Sequence, residues 1–382
     1  MRVALFDPMT SGHHPEYAAY ISNYLTNVGD DVIYITPNPS DRTALLEDSG
    51  AEVRECGIND DSSNQLRTLW NVRSGQNTAA GWNADLFHHL FVDTREPVIT
   101  TALSPTSMPT LFTLFNPRYR RSSSILNRLY GRLCLHSLDL YSLKNTFNGM
   151  FIHTPQIKEA ICQQSHFLSD DDLHVVPDPV ELPETRLSKE TARDRLDINA
   201  DGPVFLFFGK LRDDKGPQLL LEAISSTDRD ATFVIAGPEG KVGQEEIEAT
   251  ADISRPTIDA RIEFISNSEI QSYFFASDAV VLPYRQNYRG TSGILQRAAA
   301  TGRPVIVTDV GEIGYLTNQN DLGYVVEPEA GALARQFETF DIQTVTERFQ
   351  SAAHEYANRQ SVERFVREVR NVYVGAVHSN IQ

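Results

Sequence analysis

Short runs of β-branched and aromatic residues alternate with helical patterns along nearly the whole chain. Such alternation is typical of parallel sheets built from strand, helix and strand units. The sequence therefore predicts an α/β protein in which each half forms its own doubly wound sheet. The expected strands are 2–7, 31–36, 51–56, 85–91, 97–102, 149–154 and 174–177 in the first half, and 203–209, 231–237, 261–265, 279–284, 303–308 and 323–327 in the second.

Three prolines within seven residues, at 177, 179 and 183, separate the two sets of strands. Neither a strand nor a helix interior continues through such a segment. The length of 382 residues also exceeds that of a single ordinary core. We expect an N-terminal domain over 1–182, a C-terminal domain over 183–342, and terminal helices over 343–382 that cross back to the first domain.

The composition argues against two classes of function. A net charge of −17 would repel nucleic acid, which proteins bind mainly by neutralising phosphates. The first apolar run ends at Asp7 and Pro8, and no apolar stretch is long enough to span a membrane. Three cysteines that lie far apart match neither a disulfide framework nor a zinc site. We expect a cytoplasmic protein that binds no nucleic acid.

The loop after the strand 203–209 is basic and leads into a helix that begins near Pro217. It contains Lys210 and Lys215, two of the six lysines in the chain. A helix N-terminus offers free N–H groups and positive potential, to which lysines add full charges. The sequence predicts a phosphate site here, although both lysines are also compatible with ordinary solvated loop charges.

A glycine-rich turn, Gly290-Thr291-Ser292-Gly293, follows the strand 279–284 and precedes a helix. Glycine lets backbone amides approach a ligand, and the two hydroxyl groups can donate to a ligand or cap the helix. A simple cap is the commoner explanation of such a turn alone. Its position at the carboxyl end of a parallel strand favours a second anion site.

Two pairs of histidines are the candidate catalytic residues of the first domain. Gly12, His13 and His14 occupy the loop after the first strand, which faces the ligand crevice in a doubly wound domain. Either histidine could donate hydrogen bonds to a ligand, or instead cap or pack beneath the helix that follows. His88 and His89 end the strand 85–91, where side chains alternate, so at most one is expected to face a ligand. A role in the core is the alternative.

Residues 117–132 carry five arginines and no acidic residue in an otherwise acidic chain. Apolar residues are interleaved with Arg118, Arg120, Arg121 and Arg128. This pattern indicates an interfacial segment that attracts anionic lipid headgroups or a phosphorylated acceptor. A basic surface helix paired with acids elsewhere is the alternative.

Residues 175 to 335 resemble GT-B glycosyltransferases of family 4, known as glycosyltransferase group 1. No single motif carries the resemblance, which depends on the order of several. They are Phe208-Gly209-Lys210 through Lys215-Gly216, Val234-Ile235-Ala236-Gly237, Arg261-Ile262-Glu263-Phe264, Ser277-Asp278-Ala279-Val280-Val281-Leu282-Pro283, and Ala298-Ala299-Ala300-Thr301-Gly302-Arg303-Pro304-Val305-Ile306.

The resemblance implies a GT-B fold, with two facing Rossmann-like domains and a C-terminal helix that packs back on the first. It also implies that Lys210 and Lys215 bind a donor diphosphate, with Gly237 and the glycine-rich turn completing the site and the loop at Gly12 meeting the donor phosphate and the acceptor. The family commonly carries two glutamates eight residues apart, whereas this chain has Arg289 and Arg297 there. Contacts to the sugar and the ribose are therefore not carried over, and Arg289 is expected to join the diphosphate clamp.

The position at which relatives often carry an acceptor-side histidine holds Ala102 or Leu103, and His88 or His89 could take its place. The resemblance further implies transfer of a sugar from a nucleotide sugar to a glycan, lipid-linked or small-molecule acceptor, with retained configuration and without a metal or cofactor. We expect the protein at the inner face of the membrane, as a peripheral protein. The alternative is a GT-B-shaped binding or scaffold protein that has lost transfer.

Overall fold

A computed structural model of the chain describes residues 1–8, 14–37, 39, 43–57, 65–92, 108–115, 125–288 and 290–379, with backbone alone at 65–69, 125–131 and 134. These residues form two compact units. One consists of Met1–Pro177 together with Val362–Gln382, and the other of Asp178–Ser361. Each unit contains one parallel sheet, as the alternation of strand and helix patterns predicts.

The described part of the first domain has the strand order β3-β2-β1-β4-β5-β6-β7. All neighbouring strands run parallel. Because β1 pairs with β2 on one side and β4 on the other, the strand order reverses there, which is where such sheets bind ligands. The strands are β1 (Arg2–Phe6), β2 (Asp31–Thr36), β3 (Glu52–Glu55), β4 (Leu86–His89), β5 (Thr110–Thr113), β6 (Phe147–Ile152) and β7 (Leu173–Val175).

Helices connect these strands except between β4 and β5, where residues 93–107 are not described, and helix Val362–Ser379 completes the first domain. Helix Val362–Ser379 buries Phe365, Val369 and Tyr373 in the core that also contains Leu5 of β1. The expected return of a C-terminal helix to the N-terminal domain is therefore confirmed. The other helices of this domain are His14–Asn27, Ala44–Asp48, Gln65–Gly81, Ile125–Tyr141, Pro155–Cys162 and the short 3-10 helix Asp170–Asp172.

The second domain has the strand order β10-β9-β8-β11-β12-β13, again entirely parallel. Its central strands are buried along their whole length, as expected when helices cover both faces of a sheet. The order reverses at β8, between β9 and β11. The strands are β8 (Val204–Phe208), β9 (Thr232–Ala236), β10 (Thr257–Arg261), β11 (Ala279–Leu282), β12 (Val305–Thr308) and β13 (Gly323–Val326).

The helices of the second domain include one that was expected to cross back. Helix Ile342–Arg359 stays in the second domain, because Phe349 and Tyr356 lie in the cores beside its sheet. The other helices are Lys189–Arg195, the 3-10 helix Asp213–Lys215, Pro217–Ser225, Gln244–Ala251, Asn267–Ala276, Gly293–Ala300, Gly311–Gln319 and Ala330–Glu338.

The chain passes from one domain to the other at two points, after Pro177 and after Ser361, and both differ from the expected boundaries at 182 and 342. The segment after Pro177 already belongs to the second domain because Asp178 N donates to Gln360 Oε1 at 2.8 Å. Val180 N also donates to Gln360 O at 2.9 Å, and the Val180 side chain joins the second core. Because Gln360 contacts Asp178 and Val180, it also belongs to the second domain. The chain therefore returns to the first domain only after Ser361.

One expected strand is wrong, one strand forms where none was expected, and the strand expected at 97–102 lies outside the described residues. Strand β5 occupies 110–113, where no strand was expected. The expected strand 261–265 is wrong, because β10 spans Thr257–Arg261 and pairs with β9 over that range. Phe264, which lies within that expected strand, is 81% exposed.

Candidate functional site

The loop after β8 folds so that Lys215 lies over Gly209. Gly209 has φ +101°, and a β-carbon there would stand 2.7 Å from Lys215 Nζ. Its amide donates to Ala236 O at 2.8 Å, which ties the start of the loop to β9. The missing side chain at Gly209 thus leaves room for the ammonium group at the carboxyl end of the sheet.

Lys215 forms no ion pair with any residue of the described ranges, although two carboxylates follow each other in the same loop. Asp213 pairs with Arg285 at 2.6 Å, and Asp214 pairs with Arg212 at 2.9 Å. Burial lowers the pKa of Lys215 to about 8, with a further lowering by Arg212 that Asp214 opposes. A partly desolvated ammonium without a carboxylate partner is suited to bind an anionic ligand.

Lys210 differs from Lys215 because its side chain is exposed. The alternative of a solvated loop charge therefore fits Lys210 better than Lys215. Both lysines remain candidates for diphosphate binding.

Glycines hold three loops of the second domain against one another. A β-carbon at Gly237, which has φ +140°, would lie 2.5 Å from Gly209 O. One at Gly216, with φ +65°, would lie 1.9 Å from Pro283 O. The loops after β8, β9 and β11 therefore converge at the point where the strand order reverses, which is the expected ligand position in such a sheet.

The glycine-rich turn has an unusual backbone at Ser292, with φ 68° and ψ 104°. Ser292 precedes helix Gly293–Ala300 without a side-chain cap, and its hydroxyl lies 3.1 Å from Tyr284 Oη. Left-handed geometry at a buried serine costs energy, and such strain concentrates at functional sites. Gly290 packs beside Tyr288, and a β-carbon built on Gly293 would meet none of the described residues beyond its chain neighbours and its own helix within 4 Å. Arg289 lies outside the described residues.

Thr291 is held by a residue that the sequence analysis did not select. Its hydroxyl donates to Asp178 Oδ2 at 2.5 Å, so this proton is not directed at a ligand. Gln296 Nε2 donates to the same oxygen at 3.2 Å and to Tyr356 Oη at 3.0 Å. An aspartate between two prolines is the only signal in the sequence, and it does not indicate this contact.

In the first domain, His14 and Asp7 form a buried pair. His14 Nδ1 lies 3.1 and 3.2 Å from the two oxygens of Asp7, and its ring stacks on Phe91 at 3.8 Å. Asp7 follows β1 and Phe91 follows β4, so the pair lies where the strand order of this sheet reverses. A carboxylate at Nδ1 orients the imidazole, as in general-base sites. Gly12 and His13 lie outside the described residues.

His88 and His89 are both fully buried, which fits the core alternative. His88 Nδ1 lies 2.5 Å from Tyr373 Oη, and its Nε2 lies 2.7 Å from Thr113 Oγ1. Burial lowers the pKa of each histidine to about 3. Because both ring nitrogens of His88 contact residues of the first domain, the structure gives it a packing role.

His153 is a further candidate that the sequence analysis missed. It follows β6 and is 6% exposed. Its Nδ1 donates towards Val176 O at 3.3 Å and Pro177 O at 3.1 Å, so Nε2 is left as an acceptor. In the described part of the chain, no group donates to this buried Nε2. Its place at the carboxyl end of a strand was the one available signal.

The remaining expectations concern metals and membranes. No three histidine, cysteine, aspartate or glutamate side chains lie close enough together to hold a metal ion within the described ranges. None of the helices that the structure describes is both long and apolar enough to cross a bilayer. Arg118, Arg120 and Arg121 lie outside the described residues, as does the side chain of Arg128.

Comparison with known proteins supports the resemblance seen in the sequence. Residues 202–340 match the family model of glycosyl transferases group 1, which confirms the predicted resemblance in the second domain. The chain is 28% identical over 195 residues to the D-inositol 3-phosphate glycosyltransferase of Corynebacterium diphtheriae, covering 47% of this chain and 44% of that one. It is 29% identical over 150 residues to the alpha-D-kanosaminyltransferase of Streptomyces kanamyceticus, covering 38% and 37%. The chain thus spans less than half the length of the curated relatives it matches.

Solved structures are similar over the whole chain. Sucrose-phosphate synthase from Thermosynechococcus elongatus superposes with a TM-score of 0.75 at 17% identity, covering 99% of this chain and 100% of that one. Anabaena Alr3699/HepE in complex with UDP-glucose superposes with a TM-score of 0.72 at 16% identity, covering 98% and 100%. This likeness confirms the predicted α/β GT-B fold.

Proposed function

We propose that the protein is a glycosyltransferase that moves a sugar from a nucleotide-diphosphate sugar to an acceptor hydroxyl. The observation that carries the proposal is Lys215, a partly desolvated ammonium held over Gly209 where three loops of the second sheet converge. The family match of residues 202–340 supports it, as do relatives named as glycosyltransferases.

In the proposed reaction, the bond between the anomeric carbon and the diphosphate oxygen breaks while the acceptor oxygen bonds to that carbon. Negative charge then grows on the leaving diphosphate. Lys215 and the start of helix Pro217–Ser225 would stabilise this charge, the task that a metal ion performs in other enzymes. Lys210, Arg289 and the backbone of Gly290, Thr291, Ser292 and Gly293 complete the proposed donor site. We include metal independence and retained configuration in the proposal.

The first domain would bind the acceptor. His14 is the proposed group that takes the acceptor proton, because Asp7 at its Nδ1 orients the imidazole at the point where the strand order reverses. His153 Nε2 can accept a hydrogen bond, and it offers a second place where a hydroxyl group of the sugar-accepting substrate could bind. We assign no step of the transfer to His88.

Calorimetric titration with UDP-, GDP- and ADP-sugars, in the presence of EDTA, tests this function. We expect one nucleotide series to bind and its sugar to be slowly hydrolysed. Lys215→Ala should weaken binding by about 1.5 to 3 kcal/mol through loss of a charged hydrogen bond. Lys158→Ala, which removes a lysine paired with Asp170 in the first domain, should not.

The rival function is a nucleotide-binding scaffold without transfer, which the two arginines at the expected glutamate positions favour. Binding without any donor hydrolysis would support this rival. A chain that binds no nucleotide at all would contradict both functions.

We also propose a peripheral contact with anionic membranes at the inner face, through the segment 117–132 and the helix Ile125–Tyr141. Leu133 and Leu140 lie seven residues apart on this helix and are 54% and 60% exposed, so two apolar side chains lie on the same side of the helix. Flotation with phosphatidylglycerol vesicles should show binding at low salt that weakens at high salt. Equal flotation with neutral vesicles, or none, would contradict the contact.

A further inference from the structure

Asp178 is the first residue of the second domain and lies against the glycine-rich turn. It is only 7% exposed. Its Oδ2 receives hydrogen bonds from Thr291 and Gln296, and its own amide is fixed by Gln360. Contacts of the side chain with the turn and its helix, and of the amide with Gln360, therefore hold this carboxylate in one position.

No lysine, arginine or histidine of the described residues pairs with Asp178. The buried carboxylate of Asp278, in the same domain, pairs by contrast with both Lys189 and Arg193. Both hydrogen bonds to the Asp178 side chain reach Oδ2, and no described residue donates to Oδ1. Burying a carboxylate without a cationic partner costs free energy. We therefore expect Asp178 to serve a function, such as binding a ligand through Oδ1.

The charge of the carboxylate also acts on Tyr288, which packs beside Gly290 of the turn. Burial raises the pKa of the Tyr288 phenol, and the negative charge of Asp178 raises it further. Tyr288 Oη lies 3.2 Å from where a β-carbon at Gly290 would be. Asp178 is thus close to the turn assigned to the donor, although it belongs to the segment that joins the domains.

The chemistry of the carboxylate selects its ligand. An ionised carboxylate only accepts hydrogen bonds, and a diphosphate has no hydrogen-bond donors to offer it. The hydroxyl groups of a sugar are donors and carry no opposing charge. We propose that Asp178 Oδ1 binds hydroxyl groups of the donor's glycosyl unit and so contributes to recognition of the sugar; this inference rests on the proposed function.

The test compares the affinity of the nucleotide sugar that binds best with that of its own nucleoside diphosphate, by calorimetry. In the wild-type protein the sugar should add affinity. Asp178→Ala should remove that gain. The affinity for the nucleotide sugar should fall about tenfold or more, while the affinity for the nucleoside diphosphate should change less than threefold. Asp178→Asn, which keeps one acceptor oxygen but no charge, should give an intermediate loss.

Tyr356→Phe is the matched control, because it removes a hydrogen bond of Gln296 without touching the carboxylate. This variant should bind the nucleotide sugar more tightly than the nucleoside diphosphate by the same factor as the wild-type protein. If Asp178→Ala weakens both ligands equally, Asp178 only braces the turn and the inference is overturned. Equal affinity of both ligands for the wild-type protein overturns it as well. A wild-type protein that binds no nucleotide overturns the proposed function instead.

Discussion

Lys215 Nζ lies so close above Gly209 that a β-carbon at position 209 would stand 2.7 Å from it. Gly209 also has φ +101°, a backbone conformation that residues with side chains rarely adopt. The position of the ammonium group therefore depends on the glycine beneath it, and the two residues should respond together to substitution.

Gly209→Ala should displace the Lys215 ammonium and strain the loop. We expect a loss of about 1 to 3 kcal/mol in the free energy of unfolding, together with nucleotide binding as weak as that of Lys215→Ala. Thermal unfolding and calorimetry measure the two effects. Gly331→Ala is the control, since a β-carbon there meets only Arg335 Nη1 at 3.5 Å. Nucleotide affinity that survives Gly209→Ala would place the anion site elsewhere.

Nucleotide binding should weaken as pH rises, because the pKa of Lys215 is lowered to about 8. We expect the affinity for a nucleotide sugar to fall about tenfold between pH 7 and pH 9.5, as the free protein loses this charge. Calorimetric titration at several pH values measures the change. Lys215→Arg keeps the charge and should remove the pH dependence. The same slope in both proteins would contradict an ionic role for Lys215.

The stability of the free protein should respond to Lys215 in the opposite direction. Its pKa lies below the usual 10.5, so between about pH 8 and 10.5 the unfolded chain holds a proton that the folded chain has lost. The contribution of Lys215 to the free energy of unfolding therefore rises with pH over this range. Melting temperatures of the wild type and Lys215→Met, compared at pH 8 and 10, should show that difference.

His14→Phe should lower turnover without lowering donor affinity, because phenylalanine keeps the ring stacked on Phe91 but removes the base. A general base contributes about 10² to 10⁴ in rate. Donor hydrolysis, with water as the acceptor, gives the rate, and calorimetry gives the affinity. His378→Phe, which alters an exposed histidine near the end of the chain, should change neither. Unchanged hydrolysis in His14→Phe would leave His14 a structural role only.

The first domain should lose stability in acid because of His88 and His89. Burial lowers both pKa values to about 3, so below pH 6.5 the unfolded chain binds protons that the folded chain excludes. Below that pH, each histidine should lower the free energy of unfolding by about 1.4 kcal/mol for every pH unit of acidification. Urea unfolding at pH 7 and 5 should show a smaller loss in His89→Gln than in the wild type. His378→Gln should behave as the wild type does.

Local patterns in the sequence determined most of the fold. Alternating strand and helix signals predicted two parallel sheets, and Lys215 could be selected because a basic loop before a helix N-terminus attracts anions whatever surrounds it. Strand ends were not determined in this way, since the strand expected at 261–265 ends at Arg261 and Phe264 is 81% exposed. The periodicity of apolar residues indicates which element forms, but burial against a neighbour decides where it begins.

Only the tertiary structure decided which polar groups meet. Asp178 and Thr291 are 113 residues apart, and His14 contacts Phe91 across the loops after β1 and β4. The tertiary structure likewise brings His88 into hydrogen-bond distance of Thr113 and Tyr373, which are distant from it in the sequence. Hydrogen bonds and burial depend on positions in space, whereas a motif reports only neighbours along the chain. The sequence therefore determined the sheets and the basic loop, and folding decided which carboxylates and histidines are available to a ligand.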